Sequence, residues 1–256
     1  MVRSHVSCDP RTMSGEWDDR DLLRDLEPAQ WIRRGLGDAN PTEVRSLVPA
    51  GFDQYARVLN PAEIENANRS VTPVRWADVA RASGGIAHAG MQFAAISAYT
   101  SPSRMFWTYG PRQNNVSDEL ASRHVSTLAR LLAGHTKTPE TCFYGFWEGN
   151  TAFSEIDPTV PRIALGSDGF RYYMLGGPIS RAGDNFHGLL AHLWWPADRA
   201  WFVAAHFDFD CIYVGGSARC IDDLIVAPDL ESWQISPDHQ VMSHSDRLNP
   251  LPPSAH

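Results

Sequence analysis

Residues 192–202 read His192-Leu193-Trp194-Trp195-Pro196-Ala197-Asp198-Arg199-Ala200-Trp201-Phe202, and this stretch decides the fold because it reads as two strands folded back on one tight turn. Pro196 presets φ for the first corner of a type I turn, and Asp198 tolerates the bridge region that follows. A four-residue loop, Pro196 to Arg199, then sets Trp195 against Ala200, Trp194 against Trp201 and Leu193 against Phe202. Opposed aromatic pairs contribute about 0.2–1 kcal/mol beyond alanine pairs, so the hairpin has a reason to hold its register. The same stretch holds three of the nine tryptophans. Trp194, Trp195, Trp201 and Arg199 are therefore candidates for a ligand or partner surface, since Trp and Arg are enriched in such places. A structural role in the hairpin is the competing expectation.

Working outward, the segments after residue 134 are rich in β-branched and aromatic residues. Thr141–Trp147, Arg162–Leu165, Phe170–Leu175, Leu189–Trp195, Ala200–Phe209, Cys211–Val214 and Trp233–Ile235 read as strands, with Gly and Pro between them. Ahead of them, Asp18–Leu26, Glu27–Gly35 and Arg75–Ala82 read as helices. Val44–Val48 and Tyr55–Leu59 read as short strands, and Met91–Tyr99 fits either state. Asp118–Leu132 has the clearest helical pattern. Ser117 is placed to cap it, acidic residues open it, and Leu120, Val125, Leu128, Leu131 and Leu132 form one apolar stripe before Gly134. The expected class is α+β, a helical N-terminal half joined to a mainly antiparallel sheet in the C-terminal half. Residues 1–15 and the Pro-rich 246–256 read as loose tails, and 16–245 as a single domain with a soft boundary near 134–139.

The 256 residues carry 22 Lys+Arg against 30 Asp+Glu, a formal charge of −8, and the basic residues are scattered. Nucleic acid is not an expected partner, because binding to it needs clustered cations facing phosphates. No apolar run is long enough to span a membrane, and the N-terminus lacks the apolar core of a secretory signal. Four cysteines, Cys8, Cys142, Cys211 and Cys220, have no metal-site or redox spacing. A cytoplasmic protein without cofactor or metal is the expectation.

Several phrases together resemble a group of uncharacterised actinobacterial proteins. They are Val48-Pro49-Ala50-Gly51-Phe52 with Tyr55–Val58, His135–Pro139 with Cys142 and Trp147-Glu148-Gly149, Tyr172–Leu175 with Gly177-Pro178, and the Trp194–Trp201 hairpin with Tyr213-Val214-Gly215-Gly216-Ser217. The similarity runs from about Val44 to Val226, and the hairpin phrase is its most specific part. It implies a shared fold and assigns no activity. After the hairpin the chain departs from the usual phrase, with His206-Phe207-Asp208 where Thr-Glu-Ile-Asp is more usual.

Chemistry is sparse. On a strand, His206, Asp208 and Asp210 would project to one face, compatible with acid/base work or a divalent cation. A solvated edge strand has the same alternation. Glu148 ends a strand and would form an acid/base pair with Asp198 if the fold joined them. Gly215-Gly216-Ser217, read as a strand-to-helix turn in which Ser217 caps a short helix from about Ala218 to Val226, would offer backbone N–H groups to an anion. No GxSxG, HExxH, CxxC or phosphate-loop motif occurs. The expectation is a non-catalytic protein that binds a protein or small ligand. The alternative is a hydrolase using these carboxylates and His206, with or without a divalent metal.

Overall fold

The computed structural model describes residues 15–65, 68, 70–97, 106–108, 118–166, 169–206 and 208–249. In chain order the helices are α1 (Gln30–Leu36), α2 (Trp76–Ala82), α3 (Phe93–Ser97), α4 (Asp118–Ala133) and α5 (Ala218–Val226). The strands are β1 (Gln54–Leu59), β2 (Ala62–Glu65), β3 (Val71–Val74), β4 (Phe106–Thr108), β5 (Cys142–Trp147), β6 (Ile163–Leu165), β7 (Phe170–Gly177), β8 (Leu193–Pro196), β9 (Trp201–Ala204), β10 (Cys211–Gly216) and β11 (Ser232–Ile235). Eight of them form one antiparallel sheet in the order β11-β1-β10-β9-β8-β5-β7-β6, and β3-β2-β4 form a small second sheet.

The expected α+β class with a helical N-terminal half is overturned by this sheet. β1, from the first quarter of the chain, is an inner strand between β10 and β11, and helices cover both faces. Leu128 and Leu132 of α4 and Ile221 and Leu224 of α5 pack on one face. Ile32 and Leu36 of α1, Val79 of α2 and Ile96 of α3 pack on the other. Strands buried on both faces read as apolar runs without alternation, so the sequence pattern does not show which helices flank them. β8, β9 and β10 are buried at every position.

The hairpin forms, in a register shifted by two residues from expectation. Leu193 opposes Ala204 and Trp194 opposes Val203, which sets Trp195 against Phe202 and leaves 197–200 as the loop. A shift of two keeps every side chain on its face. Trp194, Trp201 and Val203 enter the α4/α5 core, while Leu193, Trp195, Phe202 and Ala204 enter the α1–α3 core. Tertiary bonds draw the loop into this form. The Asp198 carboxylate accepts from the Lys137 amide at 2.7 Å and the Thr136 hydroxyl at 2.8 Å, and Arg199 adopts φ +57°.

Other expectations change for local reasons. Asp18 and Asp21 cap each other around one 3₁₀ turn, after which Leu22 extends and bridges to Leu175. Val44–Ser46 is a 3₁₀ turn instead of a strand, because the Val44 carbonyl accepts from Leu47 and Val48. Gly215 and Gly216 belong to β10 and form no turn. A Cβ on Gly215 would lie 2.5 Å from Phe52 Cδ2, so only glycine lets that ring approach. Ser217 caps α5 through the Cys220 amide, as its sequence suggests. The expected cap Ser117 lies outside the described residues.

Residues 246–249 are anchored, contrary to the expected loose tail. The Asp246 side chain is 2% exposed and pairs with His88 at 3.0 Å. Asn249 exchanges two hydrogen bonds with the backbone of Ile86.

Candidate functional site

A cavity of about 550 Å³ opens on the α1–α3 side of the sheet. Among the described residues seven pieces of chain build it: Ile32 and Leu36 of α1; Pro41, Thr42, Ser46 and Leu47; Leu165 and Gly166; Phe170 and Tyr172 of β7; His192 and Leu193; Phe202, Ala204, His206, Asp208 and Phe209; and Met242 with Ser243. Its size falls within the range of small-molecule sites, and its lining is mostly apolar with a few polar groups, as such sites are.

The strand alternation explains the floor. Phe202 and Ala204 of β9 and Leu193 of β8 all point to this face, and Tyr172 reaches it from β7. Trp195 backs Phe202 with its ring centroid 5.6 Å away. Trp31 meets both rings edge-on, at 6.3 Å and 5.8 Å. The floor is therefore held by an aromatic cluster with little freedom to collapse.

Two imidazoles supply polarity. His192 Nδ1 accepts the Trp147 amide at 3.2 Å, and His206 Nδ1 accepts the Asp208 amide at 3.1 Å. Each neutral ring then carries its proton on Nε2. Burial, reinforced by the nearby His206, pushes the His192 imidazole down to about 4. His206 packs between Phe170 and Phe209, with centroids 5.9 Å and 4.9 Å away. Asp208 lies at the rim, its side chain 70% exposed and 4.0 Å from His206.

The expected His206, Asp208 and Asp210 face does not form. β9 ends at Ala204, and the Phe209 amide bonds the His206 carbonyl, so a turn replaces the strand that would have aligned the three. His206 and Asp208 line the cavity, whereas Asp210 is absent from its lining and accepts the Asn60 amide through its carbonyl. Phe207 lies outside the described residues.

Glu148 and Asp198 do not meet. β5 runs between them, with Asp198 bound beside Thr138 ahead of the strand and Glu148 following its last residue. Six residues of strand span about 20 Å. Glu148 instead takes Arg171 on one oxygen and Arg162, at 3.3 Å, on the other.

Nor do the three hairpin tryptophans form a surface. Trp194 is 1% exposed, and Trp195 and Trp201 are fully buried. Arg199 alone of that group is exposed, stacked 5.3 Å over Trp31.

No family model, curated protein or solved structure matches this chain.

Among the described residues no group of three His, Cys, Asp or Glu is placed to hold a metal ion. The lining hydroxyls of Ser46 and Thr42 are engaged by Glu43 and Asn40. Burial raises the Cys142 and Cys220 thiols to about 12, with Asp198 and Glu140 adding to the first and Asp223 to the second. Neither is an activated nucleophile at neutral pH. No helix among the described residues is long and apolar enough to cross a membrane.

Sequence reading missed His192, Tyr172, Phe170 and the α1 residues of the wall. His192 stands isolated in the sequence, and its only signal is its place directly ahead of the Leu193-Trp194-Trp195 strand.

Proposed function

We propose that this protein binds a small, largely apolar molecule in the β7–β9 cavity. The observation that carries this reading is a space of about 550 Å³ with a stacked aromatic floor and two imidazoles on its wall. The hydrolase alternative has lost its carboxylate pair, since Glu148 and Asp198 flank opposite ends of β5 and Asp210 is not in the lining. A cytoplasmic location belongs to the same proposal and is supported by Cys142, Cys211 and Cys220 all being free thiols. So does kinship with the actinobacterial group, supported by the hairpin phrase.

The test is a thermal-shift screen against apolar metabolites, repeated on Met242→Trp. Met242 is a half-buried cavity residue, so a larger side chain there fills the space without entering the core. A ligand at a hundred times its Kd adds about 2.7 kcal/mol to stability and raises the melting temperature. The expected result is a hit that raises the wild-type melting temperature and leaves the folded variant unmoved. Hits that shift both proteins equally refute the assignment to this cavity.

A further inference from the structure

We infer that the ligand of this cavity is an organic cation, an amine or quaternary ammonium carried on an apolar body. This rests on the cavity being a ligand site, and it adds the charge of the ligand.

Phe170, Tyr172, Phe202 and Phe209 all line the space, and the faces of aromatic rings are electron-rich. Cations held against such rings gain more as water is excluded. Among the described lining residues there is no Lys or Arg, and the single carboxylate is that of Asp208 at the rim. Arg171 lies between Phe170 and Tyr172 in β7, but strand alternation turns it away and Glu148 engages it. Desolvation of its ring favours the neutral form of His192, so it offers little counter-charge to an anion. An anion leaving water would find no Lys or Arg in the described lining to meet it, which is costly. A cation meets aromatic rings and then Asp208.

Three probes of one shape separate the cases: 1-naphthylmethyl-trimethylammonium, 1-naphthylmethanol and 1-naphthylacetate, titrated calorimetrically at neutral pH into wild type, Asp208→Asn, Phe209→Leu and Met242→Trp. Asp208 and Phe209 both lie at exposed or half-buried positions, so their variants are expected to fold. The ammonium probe is expected to bind about ten-fold tighter than the carboxylate, the scale of one well-placed cation–π contact. Asp208→Asn should narrow that gap about three-fold, as befits an exposed charge, without changing the alcohol. Phe209→Leu should weaken the ammonium probe more than the alcohol.

Carboxylate binding that equals or exceeds ammonium binding overturns the inference, and if Met242→Trp abolishes it the cavity remains a ligand site of opposite preference. An ammonium advantage unchanged in both Asp208→Asn and Phe209→Leu also overturns it. If none of the three probes binds, or if Met242→Trp binds them as wild type does, the cavity reading fails with it.

Discussion

Trp195 lies nearly flat against Phe202 across β8 and β9, with ring planes 24° from parallel, and only the second of the two reaches the cavity. Trp195 is the layer beneath, fully buried and gripped from a second side by Phe143 at 5.8 Å. Its removal should loosen Phe202 from below. Trp195→Ala is expected to cost about 3–5 kcal/mol, the range for emptying a large aromatic site in a packed core. Urea denaturation measures it. Trp195→Phe keeps the stack and should cost much less, so equal losses in the two variants would show that stacking on Phe202 is not what holds the floor.

Gly215 makes a second packing prediction. A methyl group there would sit 2.5 Å from Phe52 and 2.7 Å from Val48 Cγ1. Gly215→Ala should therefore destabilise by about 1–3 kcal/mol through overpacking. Phe52 is only half-buried and able to shrink. In the double variant with Phe52→Leu part of the loss should return, and a double-mutant cycle shows it as coupling of opposite sign to the single costs. Strict additivity would place the strain elsewhere.

These two positions also show what the sequence reveals and what it conceals. The hairpin, α4, α5 with its Ser217 cap and most strand cores follow from local pattern, because turn residues, caps and apolar stripes act over a few residues. The pairing of β1 between β10 and β11 does not. It joins residues more than 150 positions apart, and a strand buried on both faces carries no alternation to announce its neighbours. The cavity is hidden for the same reason, since seven separated pieces of chain line it. His206 and Asp208 were visible as polar residues after β9, but their arrangement depended on a turn that breaks the strand at Ala204. Glycine at 215 and 216 reads as a turn in sequence and is a close approach in space.

Asp246 provides a prediction in acid. Burial opposes its ionisation, but hydrogen bonds from the Asn249 amide and side chain, the Leu248 amide and the Gln92 amide outweigh this and lower its pKa. A carboxyl depressed in the folded state adds stability above the ordinary value near 4, and loses it as pH falls through the lower folded value. Asp246→Asn should remove that acid-side loss. At neutral pH it should cost about 1–3 kcal/mol, because an amide cannot accept at every amide donor now served. Melting curves from pH 7 to pH 2 test both parts, and a variant with the wild-type acid limb would refute them.

His124 and His192 act in a higher pH window. Burial lowers both imidazoles from 6.5 to about 4, and His206 adds to the effect at His192. The unfolded chain then takes up these protons first, so stability falls as pH drops from about 6.5 and the loss is complete below about 4. That interval is worth up to about 3 kcal/mol for one buried histidine. His124 is the cleaner test, since it is 7% exposed on α4 and its Nε2 has no hydrogen-bond partner. Replacement by leucine gives up no bond at that atom and relieves a buried polar group. His124→Leu should therefore match or exceed wild-type stability at pH 7 and lose markedly less between pH 6.5 and pH 4.5. Because this window lies above that of Asp246, the two variants should flatten different limbs of one stability curve. A His124→Leu curve parallel to wild type throughout that interval would show that His124 takes its proton as readily in the folded chain as in the unfolded one.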